Sequence, residues 1–181
     1  MKIINDNRPD FDAIVAPHLS DALTLARWLT KNRADAEDVV QEACLRAHRN
    51  LHTYNGGSAK GWLLAIVRNT AYTWLEKNRQ ITVSIDDPVG RYPVYDIPDR
   101  EGETPETILI TKGDESKLHA AIESLPAEFR EALILRDVQG LGYKEIAQIT
   151  AVPVGTVMSR LARARRRLIT ALAQEDRAGT S

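Results

Sequence analysis

The chain has 181 residues, 43% of them hydrophobic, and a formal net charge of −1, a composition that suits one globular domain or two small ones. The N-terminus lacks an apolar signal-peptide core and no apolar run approaches the length that spans a bilayer, so membrane insertion is not expected. The single cysteine, Cys44, excludes an internal disulfide and fits a reducing cytoplasm.

Helical spacing recurs along the chain, and strand-like alternation is confined to a short Ile81-Thr82-Val83 patch. Leu19, Leu23, Ala26 and Leu29 share one helix face, which Asn32-Arg33-Ala34 interrupts. Asp35 is expected to cap the next helix, with Asp38 as its capping-box partner. That helix runs to about Leu51 and ends in the loop Tyr54–Ser58. Val39, Val40, Ala43 and Ala47 set Cys44 on an apolar face, which reads as an inert buried thiol. A longer helix is predicted from about Ala59 to Gln80, with Leu63, Ile66/Val67, Thr70/Ala71 and Trp74 as its stripe. Trp62 and Trp74 lie on or beside that stripe and read as core.

Charge then changes along the chain. Residues 1–83 carry 11 Lys/Arg against 9 Asp/Glu, residues 84–115 carry 3 against 9, and residues 116–181 carry 10 against 7. Between 84 and 115 proline recurs beside acid, as in Asp86-Asp87-Pro88 and Glu103-Thr104-Pro105-Glu106, which favours an extended tether. A second helical block starts near Leu118, where Ala121, Ile122 and Leu125 share a face. Pro126 fits the first turn of the next helix, which Phe129, Ala132, Leu133 and Leu135 pack and Gln139-Gly140 closes. The expected fold is all-α: two small helical domains, 1–83 and 116–175, a flexible acidic linker over 84–115, and a polar tail at 176–181.

The most specific pattern lies in the second block. Gly142 through Ala147 and Val154 through Leu168 read as two short helices joined by a tight turn containing Pro153, the outline of a helix-turn-helix. Residues 139–168 hold 6 Lys/Arg against 1 Asp/Glu, a footprint for phosphate. At 100° per residue, Leu161, Ala164 and Leu168 fall within roughly 40° of Val157 and form a core stripe. Gly155, Ser159, Ala162, Arg163 and Arg166 lie opposite, Met158 and Arg165 flank one edge, and Thr156, Arg160 and Arg167 lie toward the other. Ser159, Arg163 and Met158 are placed for base edges, and Arg160, Arg165, Arg166 and Arg167 for phosphate.

With both blocks in view, the chain resembles the extracytoplasmic-function (ECF) class of bacterial RNA polymerase sigma factors. Asp35-Ala36-Glu37-Asp38-Val39-Val40-Gln41-Glu42-Ala43, followed by Gly61-Trp62-Leu63-Leu64-Ala65-Ile66-Val67-Arg68-Asn69-Thr70-Ala71, is similar to sigma region 2. Leu125-Pro126, Arg130-Glu131-Ala132, Tyr143–Ala147 and Val154–Leu161 are similar to region 4. The resemblance implies that region 2 docks on the clamp helices of the polymerase β′ subunit, with Asp38, Gln41, Glu42 and Arg46 as the facing group. It implies that the next helix captures the non-template strand of the −10 element, with Arg68, Asn69, Tyr72, Thr73, Lys77 and Arg79 as the group involved. A half-buried packing role for Tyr72 stands beside that reading. Region 4 is implied to read the −35 duplex and to sit on the β flap, and an anti-sigma factor is implied as a regulator. No cofactor or metal is expected. Met158 stands where many members carry Lys or Arg, so base preference there is not inherited, and Gly142 replaces a frequent Ser cap.

Two rival classes remain. His48 and His52 are four apart, a spacing for two metal ligands on a helix face, yet no further cysteine or aptly spaced carboxylate completes a site, and no phosphate loop or nucleophile–base set accompanies them. A stand-alone DNA-binding repressor would explain residues 139–168 and leave 35–80 without a task.

Overall fold

The computed structural model describes residues 10–79 and 115–178, apart from the side chains of 79 and 175–178. The expected linker, except for residue 115, the Ile81-Thr82-Val83 patch and the last three residues of the expected tail lie outside them. Every regular element among the described residues is helical, and the chain divides into two compact units.

The N-terminal unit opens with α1 (Phe11–Val15), whose cap Asp10 accepts a hydrogen bond from the Asp12 N–H at 3.1 Å. Five residues are too few to show a period, which is why spacing does not reveal this helix. A 3-10 turn, Ala16–His18, leads into α2 (Leu19–Thr30). Its buried face is Ala22, Leu25, Ala26 and Leu29, whereas Leu19 is 40% exposed. The expected stripe is therefore rotated: the small Ala22 rather than Leu19 is buried. That partner is α3 (Arg33–Arg49), which buries Ala36, Val39, Ala43 and Ala47 and packs on α2. Alanines on both faces let the two backbones approach closely.

The α2–α3 corner corrects the expected cap. Lys31 takes a left-handed conformation (φ 59°) and donates from its N–H to the Arg27 carbonyl, ending α2. Asn32 is then extended, and its Oδ1 accepts from the Asp35 N–H at 3.2 Å. Asn32 is the cap, and Asp35 sits in the first turn, where its charge still suits the helix dipole. The helix ends at Arg49, two residues earlier than expected, and a 3-10 turn follows at Leu51–Thr53. Ser58 Oγ accepts from the Gly61 N–H at 3.0 Å and so starts α4 (Ala59–Arg79). Leu63, Leu64, Val67, Thr70 and Ala71 are its buried face, and an ion pair from Lys60 to Asp21 (3.1 Å) ties it to α2.

The C-terminal helices are α5 (Glu115–Ser124), α6 (Ala127–Leu133), α7 (Tyr143–Thr150) and α8 (Val154–Ala178). Pro126 is the cap of α6 rather than part of its first turn. A π-helical turn, Ile134–Val138, prolongs α6, and Gly140 (φ 70°) closes it while the Leu141 N–H donates to the Leu135 carbonyl. Such a closure needs a left-handed residue, the role glycine fills at least cost. Both α5 and α6 pack on α8, joining Ala121, Leu125, Phe129, Leu133, Ala164 and Leu168 in one core. The last helix runs on to Ala178, so the stretch expected to be a tail begins as helix.

Between α7 and α8 the turn runs through Ala151, at φ 54°, a left-handed conformation that disfavours any residue with a Cβ. Ala151→Gly is expected to stabilise the C-terminal unit by about 0.5–1 kcal/mol, read as a higher midpoint in urea denaturation. A lower midpoint would show that the unfolded-state entropy of glycine outweighs the relieved strain.

Candidate nucleic-acid interface

The last helix presents two faces, and burial assigns them as spacing predicts. Val157, Leu161, Ala164 and Leu168 are almost fully buried, while Gly155, Met158, Ala162 and Arg166 are exposed. Arg163, Thr156 and Ser159 are half-buried between these extremes. The Ser159 hydroxyl donates to the Thr156 carbonyl at 3.0 Å, which leaves its oxygen able to accept from a base edge. Gly142 caps α7 through its neighbour's side chain: Glu145 Oε2 accepts from the Gly142 N–H at 2.9 Å.

Three of the expected phosphate-facing arginines are engaged within the protein. Arg160 Nη2 lies 3.0 Å from Glu128 Oε2, and Arg165 Nη2 lies 3.0 Å from Asp137 Oδ1. Arg167 places its guanidinium carbon 5.2 Å from the centre of the Phe129 ring, within cation–π range. Arg163 and Arg166 have no ion-pair partner among the described residues. These pairings connect residues 28 to 38 positions apart in sequence, so helical periodicity alone carries no sign of them.

On α4 the expected −10 group lies across the outer half of the helix. At 100° per residue, Arg68, Asn69, Tyr72, Thr73, Lys77 and Arg79 span roughly 180°, centred opposite Leu63, Val67 and Ala71. Asn69 and Lys77 are exposed, and Arg68, Tyr72 and Thr73 are half-buried. Arg68 stacks over the Tyr72 ring at 4.4 Å and donates to Asn69 Oδ1 at 3.2 Å. The Thr73 hydroxyl donates to the Asn69 carbonyl at 3.0 Å. Tyr72 is thus held half-buried under a guanidinium, with the Arg68–Tyr72 pair at the surface. The side chain of Arg79 lies outside the described residues.

The loop before α4 has a defined shape. Gly56 adopts φ 83°, and the Tyr54 hydroxyl donates to the Gly57 carbonyl at 2.9 Å. The Tyr54 ring lies 5.5 Å from that of Trp62, whose indole N–H donates to Thr53 Oγ1 at 3.1 Å. Trp62 and Trp74 are half-buried rather than core. For Trp62 the reason is visible: its N–H reaches a partner at the loop, so the ring braces the loop instead of entering the interior.

The expected polymerase-facing group lies on α3. Asp38 and Gln41 are exposed, and Arg46 pairs with Glu42 at 2.8 Å with both side chains partly exposed. Among them sits Leu45, 54% exposed, a residue that sequence reasoning passed over. The available signal was its spacing: it stands three and four residues after Glu42 and Gln41, and off the Ala36/Val39/Ala43/Ala47 stripe. A bare leucine ringed by Asp38, Gln41, Glu42 and Arg46 has the composition of an interface centre with a polar rim.

The remaining candidates resolve simply. The His48 ring meets Phe11 edge-on at 5.2 Å, and among the described residues no group of three or more His, Cys, Asp or Glu side chains could hold a metal ion. Cys44 is half-buried, and burial pushes its thiol above the ordinary range, which keeps it protonated and weakly nucleophilic near neutrality. No helix among the described residues is long and apolar enough to cross a membrane.

Comparison with known proteins agrees with both units. Residues 14–81 match the Sigma-70 region 2 family, and residues 115–168 match Sigma-70, region 4. The ECF RNA polymerase sigma factor SigE of Mycolicibacterium smegmatis is 35% identical over 169 residues, covering 93% of this chain and 63% of that protein. The ECF RNA polymerase sigma-E factor of Escherichia coli K12 is 38% identical over 134 residues, covering 72% and 70% of the two chains. The RNA polymerase sigma-H factor of Pseudomonas aeruginosa is 35% identical, with coverage of 90% and 86%. Among solved structures, the sigma factor RpoE of Bartonella quintana, in complex with the anti-sigma factor NepR, superposes with a TM-score of 0.68 at 31% identity, covering 91% of this chain and 97% of that one. CnrH, solved with the cytosolic domain of CnrY, shares the fold at a TM-score of 0.62 and 19% identity, covering 91% and 88%. The chain belongs to the ECF class of RNA polymerase sigma factors.

Proposed function

We propose that this protein works in the cytoplasm by binding alone, joining core RNA polymerase to a promoter through two separate DNA contacts. The observation that carries the reading is that each of the two units turns a polar helix face outward, α4 in one and α8 in the other, within one chain of this family. In this reading residues 1–83 and 116–175 are the two working domains and 84–115 the tether between them. Asp38, Gln41, Glu42 and Arg46, with Leu45 at their centre, meet the β′ clamp helices. Asn69, Tyr72, Thr73 and Lys77, with Arg68 and Arg79, hold the non-template strand of the −10 element, and the loop Tyr54–Ser58 borders that site. A flipped base needs a stacking surface and polar edges together, and the Arg68–Tyr72 pair beside Asn69 supplies both kinds of group. Thr156, Met158, Ser159, Arg163, Arg166 and Arg167 face the −35 duplex, and the C-terminal unit rests on the β flap.

An anti-sigma factor is the proposed regulator, a reading supported by the Bartonella relative having been solved with one. The test is run-off transcription with core polymerase over templates randomised at the −10 and −35 positions. The protein should select a two-part promoter, and Arg163→Ala should cost about 1–3 kcal/mol at the −35 positions while leaving −10 selection intact. A protein that bound such DNA but never recruited polymerase would be a repressor, and the proposal would fail.

A further inference from the structure

Glu128 and Asp137 carry the clearest feature that the promoter-binding reading does not use. Glu128 stands in the first turn of α6, which packs against α8, and Asp137 in the π-helical turn that prolongs α6. Each holds an arginine of the last helix at 3.0 Å. On the helical wheel the outward face centres near Arg166, and Arg160 and Arg165 lie roughly 100–120° to either side of it. One acid–arginine pair therefore guards each flank of the face that would meet DNA. The side chain of Arg160 is 19% exposed and that of Arg165 36%, so both are partly covered although the two bonds lie at the surface. Arg166 is fully outward, and Arg163 and Arg166 lack ion-pair partners among the described residues.

We propose that Glu128 and Asp137 are built-in competitors of DNA phosphate, which withdraw Arg160 and Arg165 from the backbone contact and lower sequence-independent binding. The inference rests on α8 being the duplex-binding helix, and it reassigns two of the five arginines between Arg160 and Arg167. A phosphate approaching either flank must displace a carboxylate from the guanidinium and then lie beside that carboxylate's negative charge. Arg163 and Arg166 face no such competition and carry the counterion-releasing contacts on random duplex, where Arg163 has no matching base edge to read. Holding back two of five cations costs affinity for every duplex alike. It leaves the base-facing residues untouched, so the ratio of promoter to random DNA is preserved while base contacts supply a larger share of the affinity that remains.

The measurement is binding of the full chain to a fluorescent duplex of random sequence, by anisotropy, across about 50–200 mM potassium chloride. Each neutralised phosphate contributes close to one to the slope of log affinity against log salt, or roughly 3–4-fold in affinity over that range. Arg163→Ala and Arg166→Ala should each flatten the slope by about one. Arg160→Ala and Arg165→Ala should leave it unchanged. Glu128→Gln and Asp137→Asn should each steepen it by about one, so the double variant loses roughly tenfold more affinity than the wild type between the two salt limits. Circular dichroism of each variant verifies that the helices persist. A slope flattened by Arg160→Ala as much as by Arg163→Ala, or unmoved by both carboxamides, overturns the proposal. A wild-type chain with no salt-dependent duplex binding overturns the DNA reading of α8 itself, a separate outcome.

Discussion

Arg130→Met is expected to lower the stability of the C-terminal unit by about 3 kcal/mol, a fall of roughly 10–20 °C in the midpoint for a unit of this size. Arg130 is 2% exposed, a rare state for arginine. Its Nη1 donates to the carbonyl of Glu123 at 2.9 Å and to that of Leu125 at 2.6 Å. These carbonyls end α5 and have no next turn to accept from, so the guanidinium bonds the α5–α6 corner from inside. Methionine fills most of the space but donates nothing, which leaves two partly or wholly buried acceptors without this partner. Thermal melts by circular dichroism check the value. A midpoint within about 3 °C of the wild type would mean that water replaces the guanidinium at little cost.

Leu45→Glu is expected to weaken the complex with core polymerase by about 1.5–3 kcal/mol, or roughly 10–150-fold, without unfolding the protein. The side chain is 54% exposed, so a carboxylate there remains hydrated in the free chain. Within an interface it would be desolvated beside Asp38 and Glu42, with Arg46 already paired to Glu42 at 2.8 Å. Titration of labelled protein with core polymerase gives the affinity, and an unchanged far-ultraviolet spectrum excludes misfolding. Wild-type affinity in that titration would move the polymerase contact off this face of α3.

Much of the protein is legible from residue order. The 3.6-residue period alone places Val157, Leu161, Ala164 and Leu168 in the core and Met158, Ala162 and Arg166 outside it, because an isolated helix has only one apolar arc to bury. The same reasoning places Leu63, Val67 and Ala71 inward and the Asn69–Lys77 face outward. It misjudges α2, where the small Ala22 and Ala26 are buried and Leu19 is not. It misses α1, which is too short for a period. Capping is half legible: Ser, Asn and Asp are all credible caps by type, and Asn32 rather than Asp35 fills the place because Lys31 turns left-handed one residue earlier.

Sequence by itself therefore determined the all-helical class, the two motif-bearing segments and the outward faces of α4 and α8, since all of these follow from local periodicity and residue type. Only the tertiary structure decided which charged groups on those faces are available. Arg160 and Arg165 look identical to Arg163 and Arg166 in a string of arginines. Glu128 and Asp137 distinguish them, 32 and 28 positions away, and they do so only after α6 packs against α8 and its π-helical extension brings Asp137 to Arg165. A charge's freedom depends on what folding brings within about 3–4 Å of it, and that distance is set by packing between helices.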